Sequence, residues 1–184
     1  VLKIGKILRF TGDVWKDHAC CVVLMHEQDT EQRPEWTQKV VNALVQAQAW
    51  ILDHRKETAQ ILSKENEQRY TPHSYEALAR VLEPELMDTA LYESTGAIVN
   101  SQWKEKRIDF QPYPFPSYTE ELIRKLQTTL VLGKNDFLGK LDPAFVARDL
   151  VDDRFVKQAI QNIGGMSKFG LPNDTFTRKE TITL

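Results

Sequence analysis

Cys20-Cys21-Val22-Val23-Leu24-Met25 is a short apolar run bounded by polar residues, with His18 before it and His26-Glu27-Gln28 after it. Such a run suits a strand buried on both faces, the environment of a sheet covered by helices. The expected class is therefore α/β. Upstream, Val1 to Phe10 alternates loosely and is rich in β-branched and aromatic residues, and Thr11-Gly12-Asp13 then supplies turn chemistry. Two expected strands thus flank a loop that contains Trp15-Lys16-Asp17-His18.

Downstream the signals are helical. From Pro34 to His54 the apolar residues Trp36, Val40, Leu44, Ala47 and Ile51 recur at spacings of three and four, with Pro34 near the first turn. Arg55 to Gln68 repeats the pattern weakly, and Tyr70-Thr71-Pro72 interrupts it. Thr71 or Ser74 caps an expected helix through Tyr75, Leu78, Val81 and Leu82, with Pro84 ending it or opening the next turn. The polar stretch beyond, holding Gly96 and Asn100, reads as irregular. Phe110 to Tyr118 carries three alternating prolines, which forbid a helix and favour an extended course packed through its aromatic residues.

Three more helices are expected. Ser117 or Thr119 opens one through Leu122, Leu126 and Leu130, with Gly133 as its stop, and Asp142-Pro143 opens another. The third carries Phe155, Ala159, Ile160 and Ile163 and ends at Gly164-Gly165. The tail from Leu171 is polar and reads as loosely held.

Composition narrows the function. The 24 basic residues are interspersed with 26 acidic ones, as in Lys104-Glu105-Lys106-Arg107, and the net charge is -2. A nucleic-acid binder would gather its basic charge on one face, so that class is disfavoured. No apolar run approaches the roughly 18 residues that span a bilayer. The sequence opens without an initiator methionine or an apolar leader, which reads as a fragment or a processed product. The two cysteines are adjacent, where a bridge needs strained backbone, and are expected to be a buried, inert pair.

Catalytic patterns are missing. Neither cysteine is paired by any sequence cue with a histidine, and no nucleophile elbow is present. Gly164-Gly165 follows a helix, whereas phosphate-binding loops place glycines between a strand and a helix. His18, His26, His54 and His73 lack zinc spacing, and Asp149, Asp152 and Asp153 lack the glycine-pivoted spacing of a calcium loop. No enzymatic activity is expected. The three aspartates read as a solvated helix start.

One ordered set of residues is more specific. Asp109-Phe110-Gln111-Pro112-Tyr113-Pro114-Phe115-Pro116-Ser117-Tyr118-Thr119, then Phe137-Leu138, Asp149-Leu150-Val151-Asp152, and Gly164-Gly165 with Phe169-Gly170-Leu171-Pro172, resembles the late part of the cyanobacterial nitrate- and bicarbonate-binding proteins of ABC importers. The resemblance runs from about Gly12 onward and is strongest from Asp109 to Pro172. It implies a type II periplasmic-binding-protein-like fold in part, helix-rich and with few strands, in which residues 1–184 are the carboxy-terminal portion of a domain whose upstream half is missing. It further implies a small inorganic anion as ligand, ABC permease and ATPase subunits as partners, and a periplasmic location or one anchored to the outer face of the inner membrane.

Members of this family engage the anion with a charged residue from a strand-to-strand connection. By that resemblance Lys16 serves as a point charge, with Trp15, Asp17 and His18 beside it as ligand-binding residues. No cofactor is expected, except that in the bicarbonate branch a neighbouring carboxylate helps hold calcium, a role open to Asp17. Two other readings stay open: an anion-sensing regulatory domain fused to a transporter ATPase, which would be cytoplasmic, and an enzyme of the related pyrimidine-precursor group that shares the fold.

Overall fold

The computed structural model describes residues 5–86, 88–100, 108–129, 133, 135–173 and 175–183. Val1 to Ile4 of the expected first strand, the charged run Lys104 to Arg107, and Leu130 lie outside the described residues. The described chain is rich in helix: α1 (Thr11–Val14), α2 (Glu27–Gln32), α3 (Pro34–Asp53), α4 (Arg55–Leu62), α5 (Tyr75–Leu82), α6 (Thr89–Ser94), α7 (Pro116–Thr128), α8 (Pro143–Leu150) and α9 (Arg154–Asn162). Its β-pairing is an isolated antiparallel bridge between Trp15 and Ile182.

Two units divide the chain. The first takes residues 1–17, 48–110 and 181–184, and the second takes 18–47 and 111–180, so the division falls inside α3 and again between Asp17 and His18.

In the first unit, α4 and α5 pack on one another. Ala59, Ala79 and Leu82 are their buried contact, with Tyr75, Leu78 and Phe110 against them. Ser74 caps α5 as expected, its Oγ accepting from Ala77 N at 3.3 Å. Thr71 instead links the preceding loop to α4, donating from Oγ1 to Leu62 O at 2.8 Å. Arg55 ties the end of α5 to the segment before the prolines: Nη1 donates to Leu82 O at 3.2 Å and Ile108 O at 3.0 Å, and Nη2 meets Asp109 at 3.2 Å. The stretch read as irregular contains α6, because Asp88 accepts from Leu91 N at 3.0 Å and so provides the cap that starts it.

In the second unit, α7 packs on α8, and Gln38 of α3 reaches α9 by donating to Phe155 O at 2.9 Å. Buried here are Val45, Tyr113, Phe115, Ile123, Ala147, Val156, Ala159, Ile160, Met166 and Phe169. The proline-rich stretch forms no helix before Pro116, it turns where Phe115 N donates to Tyr113 O at 3.1 Å, and its aromatic residues do pack. Tyr113 lies edge-on to Phe115 and Phe176, with centroids 5.0 and 4.9 Å away. Helix α7 begins at Pro116 rather than at Ser117 or Thr119. Proline suits that first position, since its absent N–H would have had no helical partner.

Several expectations fail on burial. The run Cys20 to Met25 forms no strand; both cysteines are exposed, and so are Val22, Val23 and Leu24. An apolar run reports hydrophobicity but not the neighbour that covers it, and among the described residues no strand pairs with this one. Gly5 to Phe10 likewise forms no strand, and Ile7 and Leu8 are exposed. Helix α3 forms where expected, but its fully buried residues are Thr37 and Val45, one position along from the exposed Trp36 and Leu44. Trp36 carries the Arg33 guanidinium at 4.1 Å from its ring centroid.

The tail is held down, contrary to its polar composition. Ser117 Oγ donates to Glu180 Oε1 at 2.8 Å, Arg178 chelates Glu180 at 2.7 and 3.2 Å, and the same guanidinium lies 4.5 Å from the Phe115 ring centroid. Charge-assisted pairing does here what apolar burial does elsewhere.

Helix α9 ends as the glycine pair predicts. Gly164 and Gly165 have φ of 103° and 95°, a region that side chains rarely adopt. A Cβ on Gly165 would collide with the Asn173 carboxamide, whose Oδ1 accepts from Ser167 N at 3.0 Å. Gly165→Ala is therefore expected to cost about 2 kcal/mol, a fall in Tm of roughly 4–8 °C. Gly139→Ala meets nothing within 4 Å and is the neutral control in the same thermal scan.

Candidate functional site

The segment from Arg9 to Asp17 is built around a buried carboxylate. Phe10 N donates to Ala97 O at 3.2 Å, and its ring meets Tyr92 edge-on at 5.0 Å. Helix α1 then turns the chain over Phe10 O, which accepts from Asp13 N and Val14 N, and Asp13 is carried fully into the interior. There its carboxylate accepts from Asn100 N at 2.7 Å and from Val99 N at 3.1 Å, and it is paired with Arg9 Nε. Burial pushes the Asp13 pKa up, but the Asn100 and Val99 amides and the Arg9 guanidinium outweigh it and hold the group below the usual carboxylate range.

The end of the chain pins the next three residues. Thr183 N donates to Val14 O at 2.8 Å, Trp15 bridges Ile182, and Lys16 N donates to Thr181 O at 3.0 Å. Asn100 Nδ2 reaches Thr183 Oγ1 at 3.5 Å, so the two segments that hold α1 are themselves joined. Beyond them Asp17 turns with φ of 55°, a left-handed conformation that aspartate tolerates better than most residues.

Trp15, Lys16 and Asp17 thus share one anchored turn in the first unit, with Trp15 and Lys16 half-buried and Asp17 exposed. His18, half-buried, belongs to the second unit. The turn is not flanked by the two strands expected around it: α1 precedes it, and a segment without regular structure follows. Residues 2–64 match the model of the NMT1-like family. At a coarse level that match supports a family of nitrate-, sulfonate- and bicarbonate-binding proteins and a solute-binding role in ABC importers of anions. No curated protein and no solved structure matches the chain. The matched stretch contains the whole Arg9 to His18 segment, whereas the Asp109 to Pro172 motifs lie outside it.

The turn carries the Lys16 ammonium and the Asp17 carboxylate on adjacent residues, with the Lys16 backbone held by its N–H donating to Thr181 O. A lysine offers a compact point charge to an oxyanion, without the fixed fork of arginine. Among the described residues, no group of three His, Cys, Asp or Glu converges as a metal site, and no helix is long and apolar enough to cross a membrane. An open hollow lies elsewhere in the first unit, lined by Asp53, His54, Arg55, Lys56, Glu57 and Gln60. Its Arg55 is committed to backbone carbonyls and Asp109, and His54 is stacked on Trp50 with ring centroids 4.4 Å apart.

Sequence reasoning missed Asp13, Arg9 and Asn100, which fix this turn. Thr11-Gly12-Asp13 was legible as a turn signal, but nothing local to Asp13 announces partners 86 and 87 positions away.

Proposed function

We propose that the chain is part of the solute-binding component of an ABC importer for a small oxyanion such as nitrate or bicarbonate, with Lys16 as its point charge toward the anion. The observation that carries this reading is the coincidence of the NMT1-like match, residues 2–64, with a turn at Trp15 to Asp17 that the buried Asp13 and the backbone of Thr181 to Thr183 hold in place. Preorganisation matters for such a ligand, because a small ion has few contacts with which to offset the ordering of a loop. Trp15 accompanies the lysine, and Asp17 is the carboxylate suited to calcium when bicarbonate is the ligand. Permease and ATPase subunits of the importer are the protein partners, and the location is periplasmic or at the outer face of the inner membrane.

Thermal unfolding against nitrate, nitrite, bicarbonate and sulfate, with and without calcium, tests the reading. A ligand at about 100 times its Kd adds roughly 2.7 kcal/mol. For a chain of this size that is a rise in Tm of roughly 5–10 °C. One anion is expected to produce the rise, and Lys16→Ala to abolish it while leaving the ligand-free Tm nearly unchanged. A rise of equal size in Lys16→Ala removes the lysine from the site, and no rise with any of the anions contradicts the reading.

A further inference from the structure

The vicinal cysteines are not the buried pair that the apolar run suggests. Both are exposed and unbridged, and their Sγ atoms lie 3.9 Å apart. Adjacent residues in extended backbone project to opposite faces, so two sulfurs this close reflect a local bend that brings them to one side. The backbone leading into the pair is fixed, because Tyr118 on α7 donates its hydroxyl to Ala19 O at 3.0 Å. On the other side the chain is stopped by His26, whose Nδ1 caps α2 by accepting from Gln28 N at 3.2 Å.

The separation has a chemical meaning. Two thiolates that each bind one ion at about 2.3 Å in tetrahedral geometry stand about 3.8 Å apart, the edge of that tetrahedron. The pair therefore needs almost no movement to chelate. Hard cations such as calcium and magnesium select oxygen donors, whereas thiolates select zinc and its heavier relatives.

We propose that Cys20 and Cys21 form a surface dithiolate site for a zinc-class divalent cation. Binding forms two metal–sulfur bonds and releases the two thiol protons to solvent, with no change of oxidation state. Among the described residues no third His, Cys, Asp or Glu converges on the pair, so water completes the shell and the ion remains exchangeable. The site lies in the second unit.

Cadmium is the direct probe, because its thiolate bonds give an ultraviolet charge-transfer band. Titrating the reduced chain with cadmium is expected to raise that band to a plateau. Cys20→Ser and Cys21→Ser are each expected to weaken binding at least tenfold, and zinc to displace the cadmium where magnesium does not. Both side chains are exposed, so helical circular dichroism should be unchanged in the variants and serves as the check on folding. No band, or a band that either serine variant retains at full strength, overturns the proposal.

Discussion

Asp13→Ala should lower the stability of the chain by about 3 kcal/mol, which at this size is a fall in Tm of roughly 6–12 °C. The carboxylate is fully buried and accepts from Val99 N and Asn100 N. Alanine leaves both amides without an acceptor and strands the positive charge of Arg9, whose Nη2 already lacks a hydrogen-bond partner. The Arg9 side chain is 27% exposed, and water can reach part of its charge, which is why the estimate sits at the low end for a broken buried pair.

Asp13→Asn should cost nearly as much despite its equal size. One carboxamide oxygen cannot serve Val99, Asn100 and Arg9 together, and its NH2 opposes donors. Acidity provides a separate check. The Asp13 pKa is depressed in the folded state, so its contribution is present above the unfolded value near 3.9 and is lost as pH falls through the lower folded value. Wild type and Asp13→Asn should therefore converge in stability below about pH 4, as read by chemical denaturation across that range.

The second large effect belongs to Tyr113. Its ring is almost fully buried between Phe115 and Phe176, and its hydroxyl donates to Asp153 Oδ2 at 2.6 Å, an oxygen that also pairs with Lys157 Nζ at 2.8 Å. Tyr113→Ala should cost about 3–5 kcal/mol, as expected for removing a buried aromatic ring. Tyr113→Phe keeps the ring and should cost about 1 kcal/mol, because Asp153 retains Lys157.

Burial, and then the carboxylate of Asp153, push the Tyr113 pKa well above the ordinary tyrosine value. The neutral hydroxyl is the form the fold favours. Its contribution is therefore present below about pH 10 and is lost as pH rises through that value toward the folded one, because the unfolded chain releases its proton first. Denaturation curves at alkaline pH should show this loss in wild type, and Tyr113→Phe should lack that part of it.

These two centres differ in how far the sequence announces them. Alternating prolines and aromatics from Phe110 to Tyr118 state a need for burial, and Tyr113 and Phe115 meet it. The helices with local caps were equally legible: Ser74, Asp142 and the Gly164-Gly165 pair act within a few residues of themselves. What local chemistry could not reveal was the cover. Cys20 to Leu24 is apolar enough for an interior strand yet lies exposed, and the polar tail is held by Glu180 and by pairing with Val14 to Lys16.

The site shows the same division. The sequence marks Trp15 to His18 as a charged connection; Trp15 to Asp17 form an anchored turn that His18 does not share, and the anchors come from residues 97–100 and 181–183. The helical phase of α3 was wrong by one residue for a related reason. Thr37 is buried because its hydroxyl can donate to Asp29 O at 3.0 Å, while Trp36 stays outside under Arg33. A polar residue with a partner can displace a larger apolar one from the interior.

Titration calorimetry of nitrate and of bicarbonate into the chain, repeated with Lys16→Ala, tests the anion-binding account most directly. The account predicts saturable binding of one ion per chain for at least one of the two, and its loss in the variant. Binding of neither ion to the wild-type chain, or equal binding to both proteins, would contradict it.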